Sequence, residues 1–269
     1  MNIVLTLIAL LALSPLARAA QPEQTWTVGQ YTIESSHEPT GDQRLAIVKD
    51  GQELYSKTVG QYWFINVFGK HSKSAHEPIA TDITGDGKSD LIIEQFPRNS
   101  QCCWSYSIVT LGPIVKEIAT VGGFPSPMTI EDVNGDGVYE ITGDDWTFYS
   151  WYASPRIILR YDKGKYELAT NLMRRPAPAE SELASKAAEF RKATVYAGFD
   201  VAPETCRYML DLIYSGNLDT AWAFLDRVWP KQKAGKEHFM ATFKEQLAKS
   251  RFWPEIREMS RIRMTVTSN

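Results

Sequence analysis

The chain has 269 residues, of which 43% are hydrophobic, 12% aromatic and 23% charged. That is the composition of a folded globular protein with room for one or two domains, and it excludes disordered, collagen-like and small disulfide-scaffold classes. A net charge of -3 and a pI near 5.9 argue against a dedicated nucleic-acid binder, so no nucleic-acid partner is expected.

The chain opens with an apolar run over residues 3–13, broken by Pro15 and followed by Ala17, Arg18, Ala19 and Ala20. A spanning helix takes about 20 apolar residues, so this run is too short to cross a bilayer. Small residues at 17 and 19 make it read as a secretory signal peptide over residues 1–19, with cleavage leaving a periplasmic or secreted chain and no transmembrane segment.

Residues 21–173 read as a β domain: short runs rich in aromatic and β-branched residues, such as 26–28, 45–48, 107–110 and 156–159, separated by turns. Asp50-Gly51 and Asp162-Lys163-Gly164 each sit between two such runs and predict hairpins. The segment Arg174-Arg175-Pro176-Ala177-Pro178-Ala179 then interrupts the pattern, and residues 174–269 read as a helical domain. Apolar residues fall at helical spacing over 181–193, 204–215, 218–229 and 236–249, with Gly216-Asn217 and Gly235 as stop signals between three of them. Residues 21–173 hold 12 Lys/Arg against 20 Asp/Glu, a net -8, whereas residues 174–269 hold 16 against 12, a net +4. Opposite charge helps two halves dock or a basic face meet an anionic partner, although +4 is also what a solvated helical surface carries.

Two stretches carry chemistry. One runs Asp82, Thr84, Asp86, Gly87, Lys88, Asp90 and the other Asp132, Asn134, Asp136, Gly137, Val138, Glu140, so both spell D-x-[DNT]-x-D-G-x-x-[DE]. Oxygen-bearing side chains at positions 1, 3, 5 and 9 converge on one centre, the main-chain carbonyl at position 7 adds a ligand, and glycine at 6 permits the turn between them. Such hard oxygens suit calcium rather than zinc or copper. Carboxylates about 4 Å apart repel by about 4 kcal/mol per pair at an effective dielectric of about 20, so a loop of this kind wants a cation. Plain Asp-Gly turns, as at Asp50-Gly51, explain the glycines but not the repeated oxygen positions. Neither loop is an EF-hand, because position 12, which needs a bidentate Glu, falls on Ile93 and Gly143.

The loops begin a longer repeat. A step of 50 residues carries Asp82 onto Asp132 and roughly superposes residues 108–109 on 157–158 and 117–120 on 167–170. A repeat of this length, with strand, loop, strand and hairpin, reads as a propeller-blade unit. Over about residues 40–170 the sequence resembles the FG-GAP or VCBS repeat proteins, whose blades in the integrin α-subunit carry a D-x-[DN]-x-D-G-x-x-D calcium loop. The resemblance implies two calcium ions. Asp82, Thr84, Asp86, Asp90 and the Lys88 carbonyl would hold one, and Asp132, Asn134, Asp136, Glu140 and the Val138 carbonyl the other. Thr84 at position 3 and Glu140 at position 9 depart from the common pattern. The family implies recognition of proteins or glycans more often than catalysis.

Three cysteines in an exported chain leave one over. Cys102 and Cys103 are adjacent and Cys206 lies in the helical half. A staple from either to Cys206 is the favoured pairing, with a vicinal bridge between Cys102 and Cys103 and free thiols as the alternatives. The four histidines, His37, His71, His76 and His238, show no metal-binding spacing, and no nucleophile elbow or phosphate loop occurs. The aromatic series Tyr62, Trp63, Phe64, Phe68 and Trp146, Phe148, Tyr149, Trp151, Tyr152 reads mainly as core, with a glycan or protein site as the other reading.

The expected fold is α+β: an N-terminal antiparallel β domain of about three propeller-blade-like units, followed by an all-helical domain. Removing the signal and the helical half leaves roughly 150 residues, three steps of the repeat, and a closed propeller needs about four blades. The open sheet edge is where the helical half is expected to pack. The expected function is a calcium-binding, non-enzymatic recognition or structural module of the cell envelope, meeting a protein or glycan partner. The alternatives are an envelope hydrolase of glycan or peptidoglycan using Asp144, Asp145 or Glu94, and a periplasmic inhibitor or immunity protein.

Overall fold

The computed structural model describes residues 22–67, 69–71, 76–78, 80–98, 102–196 and 198–261, with the backbone alone over 69–71 and 76–78. The expected signal peptide and Phe68 lie outside these residues. Three antiparallel sheets follow one another along the chain. The first holds β1 (Gln24–Val28), β2 (Tyr31–His37), β3 (Gln43–Lys49) and β4 (Gln52–Val59) in sequential order. The second begins with β5 (Trp63–Val67). After a small ribbon of β6 (Gly69–His71) and β7 (His76–Pro78) it continues with β8 (Ala80–Thr81), β9 (Asp90–Pro97), β10 (Trp104–Leu111) and β11 (Val115–Phe124). Its order is β11-β10-β9-β5, with β8 paired to β9. The third is a meander of β12 (Thr129–Glu131), β13 (Glu140–Asp144), β14 (Arg156–Asp162) and β15 (Lys165–Leu168). Among the described residues no sheet closes into a barrel.

The hairpins form where the turn chemistry placed them. Asp50 and Gly51 have φ of 51° and 74°, and Lys163 and Gly164 have 47° and 96°. Two successive residues with positive φ match the right-handed twist of the flanking strands. Side chains alternate across a strand, and in β9 both faces are buried. Leu91 and Ile93 join Ile33, Leu45 and Ile47 in a core between the first and second sheets. Ile92 turns the other way, with Tyr106, Ile108, Ile141 and Ile157, into the larger core. A half-buried ionic contact also joins the first two sheets: Lys57 Nζ lies 2.9 Å from Glu117 Oε2, which accepts the Tyr55 hydroxyl at 2.8 Å.

The helical region holds α1 (Thr170–Met173), α2 (Glu180–Phe190), α3 (Pro203–Tyr214), α4 (Leu218–Val228), α5 (Lys236–Lys249) and α6 (Trp253–Arg261), and a short 3₁₀ helix, Trp146–Trp151, links β13 to β14. Pro203 starts α3 at its first turn, where a missing N–H costs nothing. Gly235 enters α5 with φ of 94°. The sequence expected four helices, which match α2 to α5, and missed the short α1 and also α6, which buries only Ile256 and Met259 and so shows one turn of periodicity. The helices share the larger core with the third sheet: Met209, Leu212 and Ile213 of α3 and Phe243 of α5 join Ile157, Ile158 and Leu159 of β14. They therefore cover a sheet face rather than only an edge. The edge strand β11 is met by Arg251, whose Nη1 donates to the Gly122 carbonyl at 2.8 Å.

The favoured cysteine staple is not formed. Cys102 and Cys103 are bonded to each other, and Cys206 is a free thiol. It sits on the inward face of α3 with no exposed surface, and burial pushes it up to about 12. It packs as a small apolar residue.

Candidate metal centre

The two loops fold alike, one between β8 and β9 and the other between β12 and β13. In the first, Asp82 Oδ1 accepts the backbone N–H of Gly85 at 2.7 Å and of Asp86 at 3.1 Å, while Oδ2 accepts that of Gly87 at 2.7 Å. In the second, Asp132 Oδ1 accepts Gly135 and Asp136 at the same 2.7 and 3.1 Å, and Oδ2 accepts Gly137 at 2.9 Å. Position 5 repeats too, Lys88 N donating to Asp86 Oδ1 at 2.9 Å and Val138 N to Asp136 Oδ1 at 3.0 Å. The aspartate at position 1 thus winds the loop around its own carboxylate. The winding needs φ of 82° at Gly87 and 86° at Gly137, which a side chain would strain.

Position 9 falls on the first residue of the following strand and closes each loop from below. Asp90 Oδ2 accepts Ile83 N at 3.3 Å, Thr84 N at 3.2 Å and the Thr84 hydroxyl at 2.9 Å. Glu140 Oε2 accepts Val133 N at 3.0 Å. Both residues are 0% exposed, and the second oxygen of each, Asp90 Oδ1 and Glu140 Oε1, is buried with no hydrogen-bond partner among the described residues. Burial holds the Asp90 carboxyl above its ordinary range; bonds from Thr84 oppose the rise, and the charges of Asp86 and Asp82 add to it. The acids of the first loop therefore act on one another.

The loops also touch. Gly85 lies so close to Val138 that a Cβ there would come 2.9 Å from Val138 Cγ2. The Tyr166 hydroxyl is buried without a hydrogen-bond partner among the described residues; burial raises it first, and the charges of Asp90, Tyr161 and Glu140 raise it further. The strands after the loops keep the same register at a step of 50: Leu91 pairs Val109 as Ile141 pairs Leu159, and Ile92 pairs Ile108 as Thr142 pairs Ile158.

Cations already lie beside both loops. Lys88 Nζ is 2.7 Å from Asp86 Oδ2. Arg160 reaches Asp136 Oδ2 at 2.8 Å and lies 3.4 Å from Glu140 Oε1. Among the described residues no three His, Cys, Asp or Glu side chains form a group that could hold a metal ion. The remaining expected ligands, Thr84, Asn134 and the carbonyls at positions 7 of the two loops, are neutral oxygens outside such a group. Sequence reading missed Arg160 and Tyr166, although the 50-residue step carries Thr110 onto Arg160.

The acid–base candidates do not converge. Asp145 is 5% exposed and spent on structure: Oδ1 accepts Thr147 N at 2.9 Å, and Oδ2 accepts the hydroxyls of Tyr214 and Ser250 at 2.5 Å each. Burial raises Asp144, with Arg156 opposing. Glu94 sits on another sheet, where burial pushes it up to about 7. The aromatic series divides. Phe148 is fully buried, but Tyr149 is 62% and Tyr152 59% exposed. With Tyr196, Phe199, Glu204 and Arg207 these two tyrosines line a cavity of 750 Å³, and Trp146 stacks on Tyr149 at 4.6 Å.

A scan against protein-family models finds no match, and a search of curated protein sequences finds no significant relative.

Proposed function

We propose that the protein is an exported, calcium-binding module of the FG-GAP/VCBS type that serves recognition or structure in the cell envelope rather than catalysis. The observation that carries this reading is the pair of position-9 carboxylates, each fully buried and each holding its loop with one oxygen; the second oxygen of Asp90 has no hydrogen-bond partner among the described residues, and that of Glu140 meets only the Arg160 guanidinium at 3.4 Å. A buried ionised oxygen is costly unless a cation or donor meets it, and the donors around it are hard oxygens that fit calcium. Asp82, Thr84, Asp86, Asp90 and the Lys88 carbonyl would hold one ion; Asp132, Asn134, Asp136, Glu140 and the Val138 carbonyl would hold a second. The ion would supply charge neutralisation, tying each loop to the strand that follows it. The partner is a protein or a glycan, and the tyrosine-lined cavity is the surface offered to it, since exposed tyrosines give flat apolar faces with polar edges.

The reading predicts that EDTA-treated protein melts at a lower temperature than the same sample with millimolar calcium, a change that equimolar magnesium does not reproduce. Identical melting curves in EDTA, calcium and magnesium would contradict it.

A further inference from the structure

We infer that the two loops are unequal: the second carries a cation of its own, the Arg160 guanidinium, so that calcium enters the first loop readily and the second only when Arg160 gives way. This rests on the calcium reading above and adds to it an order of occupancy.

The asymmetry starts from one pair of residues. The register that sets Thr110 opposite Asp90 sets, 50 residues later, Arg160 opposite Glu140 by continuation of the pairing of Ile141 with Leu159. In the first loop the facing residue is neutral, and the Thr110 hydroxyl is itself buried without a partner among the described residues. Asp90 Oδ1 then has nothing to offset its charge from across the strand. In the second loop the facing residue is a permanent cation that bonds Asp136 Oδ2 at 2.8 Å and stands 3.4 Å from Glu140 Oε1. Positions 5 and 9 are two of the four side-chain ligands a calcium ion would need there. A guanidinium does not lose its charge within any ordinary pH range, so pH does not clear it.

The first loop has Lys88, but its reach is different. Lys88 Nζ bonds Asp86 alone, on an ammonium arm 45% exposed. An ammonium on a four-carbon stem can swing into water and leave the loop to an incoming ion. Arg160 is rooted in the middle of β14, with its side chain 29% exposed, and it bridges two of the acids. Substituting Thr110 or Arg160 should therefore redistribute the ions, and substituting the position-1 aspartates should show which loop was filled.

Equilibrium dialysis of the mature protein against micromolar calcium chloride reads the stoichiometry directly. The expected result is about one ion per chain in the wild type, unchanged in Asp132→Asn, lost in Asp82→Asn, and raised toward two in Arg160→Gln. Thr110→Arg should weaken the uptake at least tenfold. If Arg160→Gln fails to fold, the two aspartate variants decide alone. Two ions of equal affinity in the wild type, or uptake lost in Asp132→Asn but kept in Asp82→Asn, would overturn the inference while leaving the calcium reading intact. No uptake by the wild type or any variant would defeat the calcium reading itself, and the inference with it.

Discussion

Glu94 shows at a single residue how the core sets chemistry. It lies on the face of β9 that also carries Ile92, only 8% exposed, and desolvation pushes its carboxyl up to about 7. A carboxyl whose folded value is raised contributes fully below its ordinary value near 4.5 and loses that contribution as pH rises through about 7. The cost of ionising it is on the order of 3 kcal/mol. Glu94→Gln should therefore gain on the wild type between pH 5 and pH 8 in denaturant midpoint. A difference between the two proteins that stays flat over that range would show that Glu94 is not the titrating group. The sequence offered Glu94 only as one of three candidate acids of a hydrolase; its burial was not visible there, because the neighbours that desolvate it come from other strands.

Between elements, the decisive contact is Asp145 with Tyr214 and Ser250. Asp145 caps the 3₁₀ helix through Thr147, and its other oxygen accepts one hydroxyl from the end of α3 and one from the residue after α5, each at 2.5 Å. It thus ties the end of the third sheet to two helices through bonds to a charged acceptor, which are stronger than neutral ones. Asp145→Ala should cost about 3 kcal/mol in urea unfolding, because the buried Ser250 hydroxyl loses its acceptor and Tyr214 keeps only its longer bond to Ser250 Oγ at 3.3 Å. Tyr214→Phe should cost less, since Ser250 still bonds the carboxylate. Equal stability of Asp145→Ala and wild type would remove this contact from the account. The hairpin turns were legible because Asp-Gly and Lys-Gly need a backbone that glycine supplies. The α6 helix was not, because its nine residues bury two side chains and its packing depends on α3, α4 and α5.

For the whole molecule, the division into a strand-rich first part and a helical second part was legible from the change of apolar spacing near Pro176. So was the count of three sheets, from the 50-residue step and the residues left to fill it. The way the parts join was not. Residues at strand spacing do not say which of two faces meets a helix, and the second sheet turns out to be covered on both sides. The cysteine arithmetic erred for the same reason: Cys206 is drawn into the core of α3, which leaves Cys102 and Cys103 to each other. The two matching loops were legible in their spacing and the Arg160 charge beside the second was not, because Arg160 comes from a neighbouring strand.

The central claim is that these loops are built for calcium. Isothermal titration of calcium chloride into EDTA-stripped, desalted wild-type protein tests it most directly. The account predicts a saturable heat with a first transition near one ion per chain and a far weaker response to magnesium. A titration with no saturable calcium heat, or one in which magnesium binds equally well, would contradict it.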